Sequence, residues 1–261
     1  MAGEHKRFAA YSRKIINQIK MLDLDLDIED VVNQVCINEY QGSRWDEDNI
    51  SFRLVEGLQK VLDGRIIDYV HFKKKINFKA YKQSGKPETN YGDIALLVNI
   101  QFSTGEALKG VAFLEAKRLF NSGYFESMDL AQLERLKNNV PYAQVLQYYP
   151  KPTEFLLKFP YEWDFKSCMW VSPINTSYEL LKQINVKDNN RIIRTSFPLS
   201  QFFTGRILWG KDLDFREDLY NEILNAVGAR VKPQYLCVLD TYYTDQRPTR
   251  TEVSDYWQKI G

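Results

Sequence analysis

YGDIALLVNIQFSTGEALKGVAFLEAKR, residues 91–118, consists of two apolar runs on either side of a turn rich in Ser, Thr and Gly at 103–106. That is the pattern of a β-hairpin. Folding it about position 104 sets Asp93 across from Glu115, each eleven residues from that centre. Along the second run, side chains alternate between faces. Val111, Phe113, Glu115 and Lys117 therefore share one face, and Ala112, Leu114 and Ala116 share the other. An apolar strand thus ends by presenting a carboxylate and an ammonium two residues apart, on the side where Asp93 also falls. Two carboxylates about 4 Å apart repel by roughly 4 kcal/mol at an effective dielectric of about 20. Lys117 offsets part of this, and a divalent cation would offset more.

Working outward, Phe8, Tyr11, Ile15, Ile19 and Leu22 recur at helical spacing and predict an amphipathic helix. LDLDLDIED, 22–30, begins like a calcium loop. Ile28 stands at the turn glycine's place and Gln34 at that of the bidentate Glu, so the stretch reads as a solvated face leading into a helix around 28–38. A second helix is expected over 46–63, capped by Asp46 or Asp48, with Ile50, Leu54, Leu58, Val61 and Leu62 on its apolar face. From Ile66 to Lys82 the period shortens to that of a half-buried strand. Strands at 91–101 and 109–117, a helix at 128–139 and a strand at 143–149 ending at Pro150 follow. Strands at 167–172 and 234–242 and helices at 178–184 and 213–227 complete the expectation. Helix, three strands, helix, strand describes an α/β core whose last connection is a crossover.

Composition removes several chemistries. The chain has 261 residues, 44% of them apolar, enough for one large domain or one domain with an elaboration. Net charge is +1, so a surface for an acidic partner must be local. Cys36, Cys168 and Cys237 stand far apart, which fits neither a disulfide framework nor a thiolate zinc site and suits a reducing compartment. No apolar run is long enough to span a bilayer, so the expectation is a cytoplasmic protein without membrane attachment. His5 and His71 are the only histidines, too few for zinc or His-based nuclease centres. Chemistry in this chain must rest on carboxylates and lysines.

Two hard carboxylate oxygens suit Mg²⁺, with Mn²⁺ able to substitute. A lysine beside a metal-bound water can orient it, help to deprotonate it, or stabilise negative charge. Asp93, then Glu115-Ala116-Lys117, resembles the PD-(D/E)xK signature of restriction-endonuclease-like nucleases, with Gly92 in place of Pro before the Asp. The resemblance covers roughly residues 46–150. It implies a core with a mixed central sheet flanked by helices over 46–160. Around that core it leaves an N-terminal helical segment, 1–45, and a C-terminal α/β extension, 161–261, of the same or an adjoining lobe.

In that family the Asp and Glu bind the metal, the carbonyl of the residue between Glu and Lys (here Ala116) assists, and the Lys serves the attacking water. A further acid comes from the leading helix, for which Glu47 and Glu56 are candidates. A Gln on the helix after the Lys strand corresponds to Gln132, and Gln144 with Tyr148 forms a Gln-x-x-x-Tyr pattern on a strand. The implied activity is phosphodiester hydrolysis in DNA, with RNA left open. More loosely, the resemblance extends to nuclease subunits of bacterial restriction and anti-phage systems, which work with a separate ATPase or helicase.

HFKKKINFKAYKQSGK, 71–86, holds six lysines and no acid. Lys73, Lys74, Lys75 and Lys79 would either grip phosphates beside the site or guard a solvated edge strand against aggregation. GRILWGKD, 205–212, misses a phosphate-binding loop because Asp212 replaces the Ser or Thr and Ile207, Leu208 and Trp209 are bulky. Two rivals stand beside the nuclease: a catalytically silent nucleic-acid-binding or assembly subunit, and an interaction domain in which the Glu-Ala-Lys strand is purely structural.

Overall fold

The computed structural model describes residues 23–68, 72–83, 91–157, 163–184, 189–226, 233–246 and 250–261. The expected helix at 8–22, His5 and His71 lie outside them. The hairpin forms from β3 (Ile94–Gln101) and β4 (Ala107–Arg118). Its pairs run from Gln101 opposite Ala107 to Ile94 opposite Leu114, symmetric about position 104 as the turn composition requires. All of β3 except Gln101 is buried, the mark of a strand covered on both faces.

The other described strands are β1 (Ile66–Asp68), β2 (Lys73–Gln83), β5 (Gln144–Leu157), β6 (Trp163–Pro173), β7 (Phe197–Pro198), β8 (Tyr235–Tyr243) and β9 (Trp257–Lys259). They join the hairpin in one sheet ordered β1-β2-β8-β3-β4-β5-β6-β7, with β9 also pairing β2. The sheet is mixed and open. β8 runs parallel to β3, β4 runs parallel to β5, and the other pairs are antiparallel. The described part of 161–261 thus shares the sheet through β6, β7, β8 and β9, with β8 between β2 and β3.

Helices cover both faces. Over one lie α1 (23–41), α2 (Glu47–Leu62) and α6 (Leu199–Gly205), sharing a core with Ile94, Leu96, Ala112, Leu114 and Ala116. Over the other lie α3 (Leu130–Asn139), α4 (Ile174–Ile184) and α7 (Glu217–Asn225), packed on Ala95, Leu97, Val111 and Phe113. A short helical turn, α5 (Asn189–Ile192), precedes β7. The alternation read from β4 therefore divides the two cores. No helix among the described residues is long and apolar enough to cross a membrane.

Three boundaries differ from expectation. The Asp-Leu alternation at 23–27 is already helical, because Leu24, Ile28, Val32 and Cys36 form one buried stripe at four-residue spacing. The alternating acids are held by neighbours, Asp25 by the Thr204 hydroxyl and Asp27 by Arg65. β5 runs on through Pro150 to Leu157. β4 accompanies it only as far as Tyr148, and a register shift against β6 between Tyr148 and Thr153 absorbs the missing N–H. Residues 213–216 are not helical, since Asp214 exchanges backbone hydrogen bonds with Val111 and its carboxylate then accepts from the Arg216 N–H where α7 begins.

Candidate active site

The end of β4, the start of β3 and the start of α2 converge. Asp93 lies just before β3. Its N–H donates to the Leu114 carbonyl (2.9 Å), its own carbonyl accepts from the Tyr235 N–H (2.9 Å), and its carboxylate accepts from the Ala116 N–H (2.8 Å). A strand residue directs N–H and C=O to the same side, so the Ala116 carbonyl also faces the edge that β3 vacates. Gly92 makes this approach possible. Its φ is +89° and a Cβ there would stand 2.8 Å from the Leu114 carbonyl oxygen. Proline, locked near φ of about −65°, cannot take this backbone, which is the physical reason for Gly before the Asp.

Glu115 and Lys117 project from the α3 face of β4, nearly sealed from solvent at 1% and 4% exposure. One Glu115 oxygen accepts from Lys117 Nζ (2.6 Å) and from Gln132 Nε2 (2.6 Å). Gln132 sits in the first turn of α3, whose N-cap Asp129 accepts from its N–H. The other Glu115 oxygen, Oε2, is buried and has no hydrogen-bond partner. Such an orphan costs about 1–3 kcal/mol, more for a charged group.

Of the two helix candidates, α2 delivers Glu47. Asp46 caps the helix by accepting from the Asn49 N–H, and Glu47, its first residue, reaches across to the Arg118 N–H (3.1 Å) and the Ser127 hydroxyl (2.7 Å). Glu56 is not brought to the centre. Two and a half turns further on, its carboxylate pairs with Arg53 (3.1 Å) and Lys60 (2.9 Å) on the helix surface. Ser127 carried no signal in the sequence. It is found only because the loop after β4 folds back over α2. Gln144 and Tyr148 are not at the cluster either: Gln144 donates to the Tyr142 carbonyl and Tyr148 meets the Ser51 hydroxyl.

The lysine-rich strand does not flank the centre, since β8 and β3 lie between β2 and β4. Lys74 is opposite Tyr243, whereas Lys82 is opposite Tyr235, which is in line with Ile94. At about 3.4 Å per residue, Lys73, Lys74 and Lys75 stand more than roughly 20 Å along the sheet from the Asp93 end. Lys79 is paired with Asp63 at 2.5 Å, Lys73 with Asp68 at 3.6 Å, and Lys74 lies over the Tyr243 ring. The cation of β2 at the correct end is Lys82, which faces Asp48 (3.6 Å) and the rings of Phe52 and Tyr235.

Electrostatics bind the cluster together. Burial, then the charges of Glu115 and Glu47, push the Asp93 carboxyl from its ordinary 3.8 up to about 8, against the pull of Lys117 and the Ala116 N–H. Burial also raises Glu115, opposed chiefly by Lys117. Burial alone would lower Lys117, but Glu115, Glu47 and Asp93 together hold its ammonium above the usual lysine range. Among the described residues no three His, Cys, Asp or Glu side chains are spaced as a ready-made metal cage. The donor set is two carboxylates, Asp93 and Glu115, with the Ala116 carbonyl. Hard oxygens, few protein ligands and one buried carboxylate oxygen without a partner fit Mg²⁺, which keeps most of its own waters. Compared with known proteins, the chain matches no family model, no curated protein and no solved structure.

Proposed function

We propose that this chain is a Mg²⁺-dependent nuclease of the restriction-endonuclease-like type that hydrolyses phosphodiester bonds, with DNA as its substrate and Mn²⁺ able to replace Mg²⁺. The observation that carries the reading is the buried meeting of Asp93, Glu115 and Lys117, in which Glu115 Oε2 has no protein partner. Asp93, Glu115 and the Ala116 carbonyl would hold the ion. When bound, the ion supplies Lewis acidity toward the scissile phosphate and a water of lowered pKa. Lys117 rests as an ammonium. Its role is to donate hydrogen bonds to the attacking water or to a phosphate oxygen whose charge grows in the transition state. Gln132 fixes the Glu115 rotamer from α3, and Ser127 with the Arg118 N–H fixes Glu47.

The mixed sheet with helices on both faces is consistent with that nuclease core. The looser likeness to anti-phage nuclease subunits extends the proposal to a separate ATPase or helicase partner. One observation favours a different reading: the 2.6 Å Lys117–Glu115 contact is also what a closed structural ion pair in a silent assembly subunit would show. The deciding experiment is cleavage of plasmid and linear DNA with Mg²⁺ or Mn²⁺ by the wild type, Lys117→Ala and Asp93→Ala. Metal-dependent cleavage lost in both folded variants supports the nuclease, one positioned hydrogen-bond donor contributing about 10²–10³ in rate. Cleavage that survives both substitutions sinks it.

A further inference from the structure

At the other end of β3, six residues or about 20 Å from Asp93, a polar row crosses four strands. Asn77 of β2 is opposite Asp240 of β8, Asp240 is in line with Asn99 of β3, and Asn99 is opposite Lys109 of β4. Asp240 is 2% exposed and its carboxylate accepts from the Thr251 hydroxyl (2.6 Å), the Thr251 N–H (3.2 Å), Asn77 Nδ2 (3.3 Å) and Asn99 Nδ2 (3.4 Å). A carboxylate only accepts, so the Asn99 amide must turn its NH₂ toward Asp240. Its oxygen then points away from Asp240. That oxygen is buried without a partner.

A cavity of about 390 Å³ opens beside it, lined by Asn99, Lys109, Phe215, Glu217, Arg250 and Glu252, among others. Its volume is within the range of small-ligand pockets. Among the described residues neither Lys109 nor Arg250 makes an ion pair, and Phe215 is 54% exposed at the rim. Nothing in the proposed nuclease chemistry uses this place.

We propose that the cavity is a second ligand site for a nucleoside monophosphate whose base carries an exocyclic amine. The orphaned Asn99 oxygen accepts from the amine, and the Phe215 ring offers a stacking face. Lys109 and Arg250 take the phosphate, while Glu217 and Glu252 accept from ribose hydroxyls. The two cations and two carboxylates cancel, which selects one modestly charged phosphate over a polyphosphate.

The test is calorimetric titration of the full chain in EDTA with AMP, inosine monophosphate, ATP and inorganic phosphate. AMP is expected to bind saturably. Its affinity is expected to fall about tenfold or more in Lys109→Ala and in Arg250→Ala, each losing a charge-assisted contact. Inosine monophosphate, with a carbonyl in place of the amine, is expected to bind about as weakly as those variants bind AMP. Asp93→Ala should bind AMP as the wild type does. The proposal is overturned by absent AMP binding at millimolar ligand, by unchanged affinity in both cation variants, or by ATP or phosphate alone binding as tightly as AMP.

Discussion

Replacing Asp93 with Asn removes a charge and keeps an acceptor for the Ala116 N–H, so it isolates the cost of the buried charge, desolvation first and the repulsion from Glu115 second. A folded-state pKa of about 8 against an ordinary 3.8 means that the folded protein holds the Asp93 proton more tightly than the unfolded chain does. Stability from this group is complete below pH 4 and is lost as pH rises, the loss levelling off above about pH 8. At about 1.4 kcal/mol per pH unit across that window, the metal-free wild type is weakened by about 1 kcal/mol at pH 4.5 and about 3 kcal/mol at pH 6. The loss approaches 5 kcal/mol, as an upper limit of about that size, near pH 8. Asp93→Asn escapes that loss. Asp25 and Glu29, pushed to about 6 and about 7 by burial between α1 and α6, titrate in the same window. Both proteins carry them, so they cancel in the difference. The assay is urea unfolding of both proteins in EDTA at pH 4.5, 6 and 8. The variant's advantage should grow with pH and shrink when Mg²⁺ is added, because the ion binds only the folded wild type tightly. An Asn variant less stable than wild type at pH 8 in EDTA would refute the reasoning, since the carboxylate would then be a satisfied structural partner.

Gln132→Ala removes one charge-assisted hydrogen bond of about 1.5–3 kcal/mol to Glu115 and should slow DNA cleavage about tenfold or more while lowering the melting temperature by roughly 3–10 °C. Gly92→Ala forces a side chain into positive φ against the Leu114 carbonyl and should cost about 1–3 kcal/mol in chemical denaturation. Lys82→Glu should weaken DNA binding in a salt-dependent way, whereas Lys73→Glu, at the far end of β2, should leave it unchanged in fluorescence anisotropy. Glu56→Ala breaks only surface pairs and should change neither the cleavage rate nor stability by more than about 1 kcal/mol.

The hairpin was legible because its information is local. A Ser-Thr-Gly turn sets the centre, alternation sets the faces, and the two together carry Asp93, Glu115 and Lys117 to one strand end. Gln132 rested on the resemblance alone, because eleven residues separate β4 from α3 and only the fold of that loop brings the turn capped by Asp129 to Glu115. What sequence could not supply was non-local pairing. Nothing in the string Lys73–Lys79 says that a strand from residues 235–243 will separate it from Asp93. Proximity in sequence puts these lysines beside Asp93, and the strand order of the sheet puts them away from it. Glu47 and Glu56 are nine residues apart on one helix, and only the crossing of α2 over the end of β4 distinguishes them.

The late strand β8 also sets a schedule. Asp93, Glu115 and Lys117 are all synthesised before residue 118, yet the Asp93 carbonyl is held by Tyr235 and the sheet on that side is closed only by residues 235–243. Chains grow and begin to fold from the N-terminus, and pairings of high sequence separation come last. During translation, therefore, the acidic residues exist for about half of the chain's length without the frame that aligns them. A nascent chain still on its ribosome carries the parts of the proposed active site in an unassembled form.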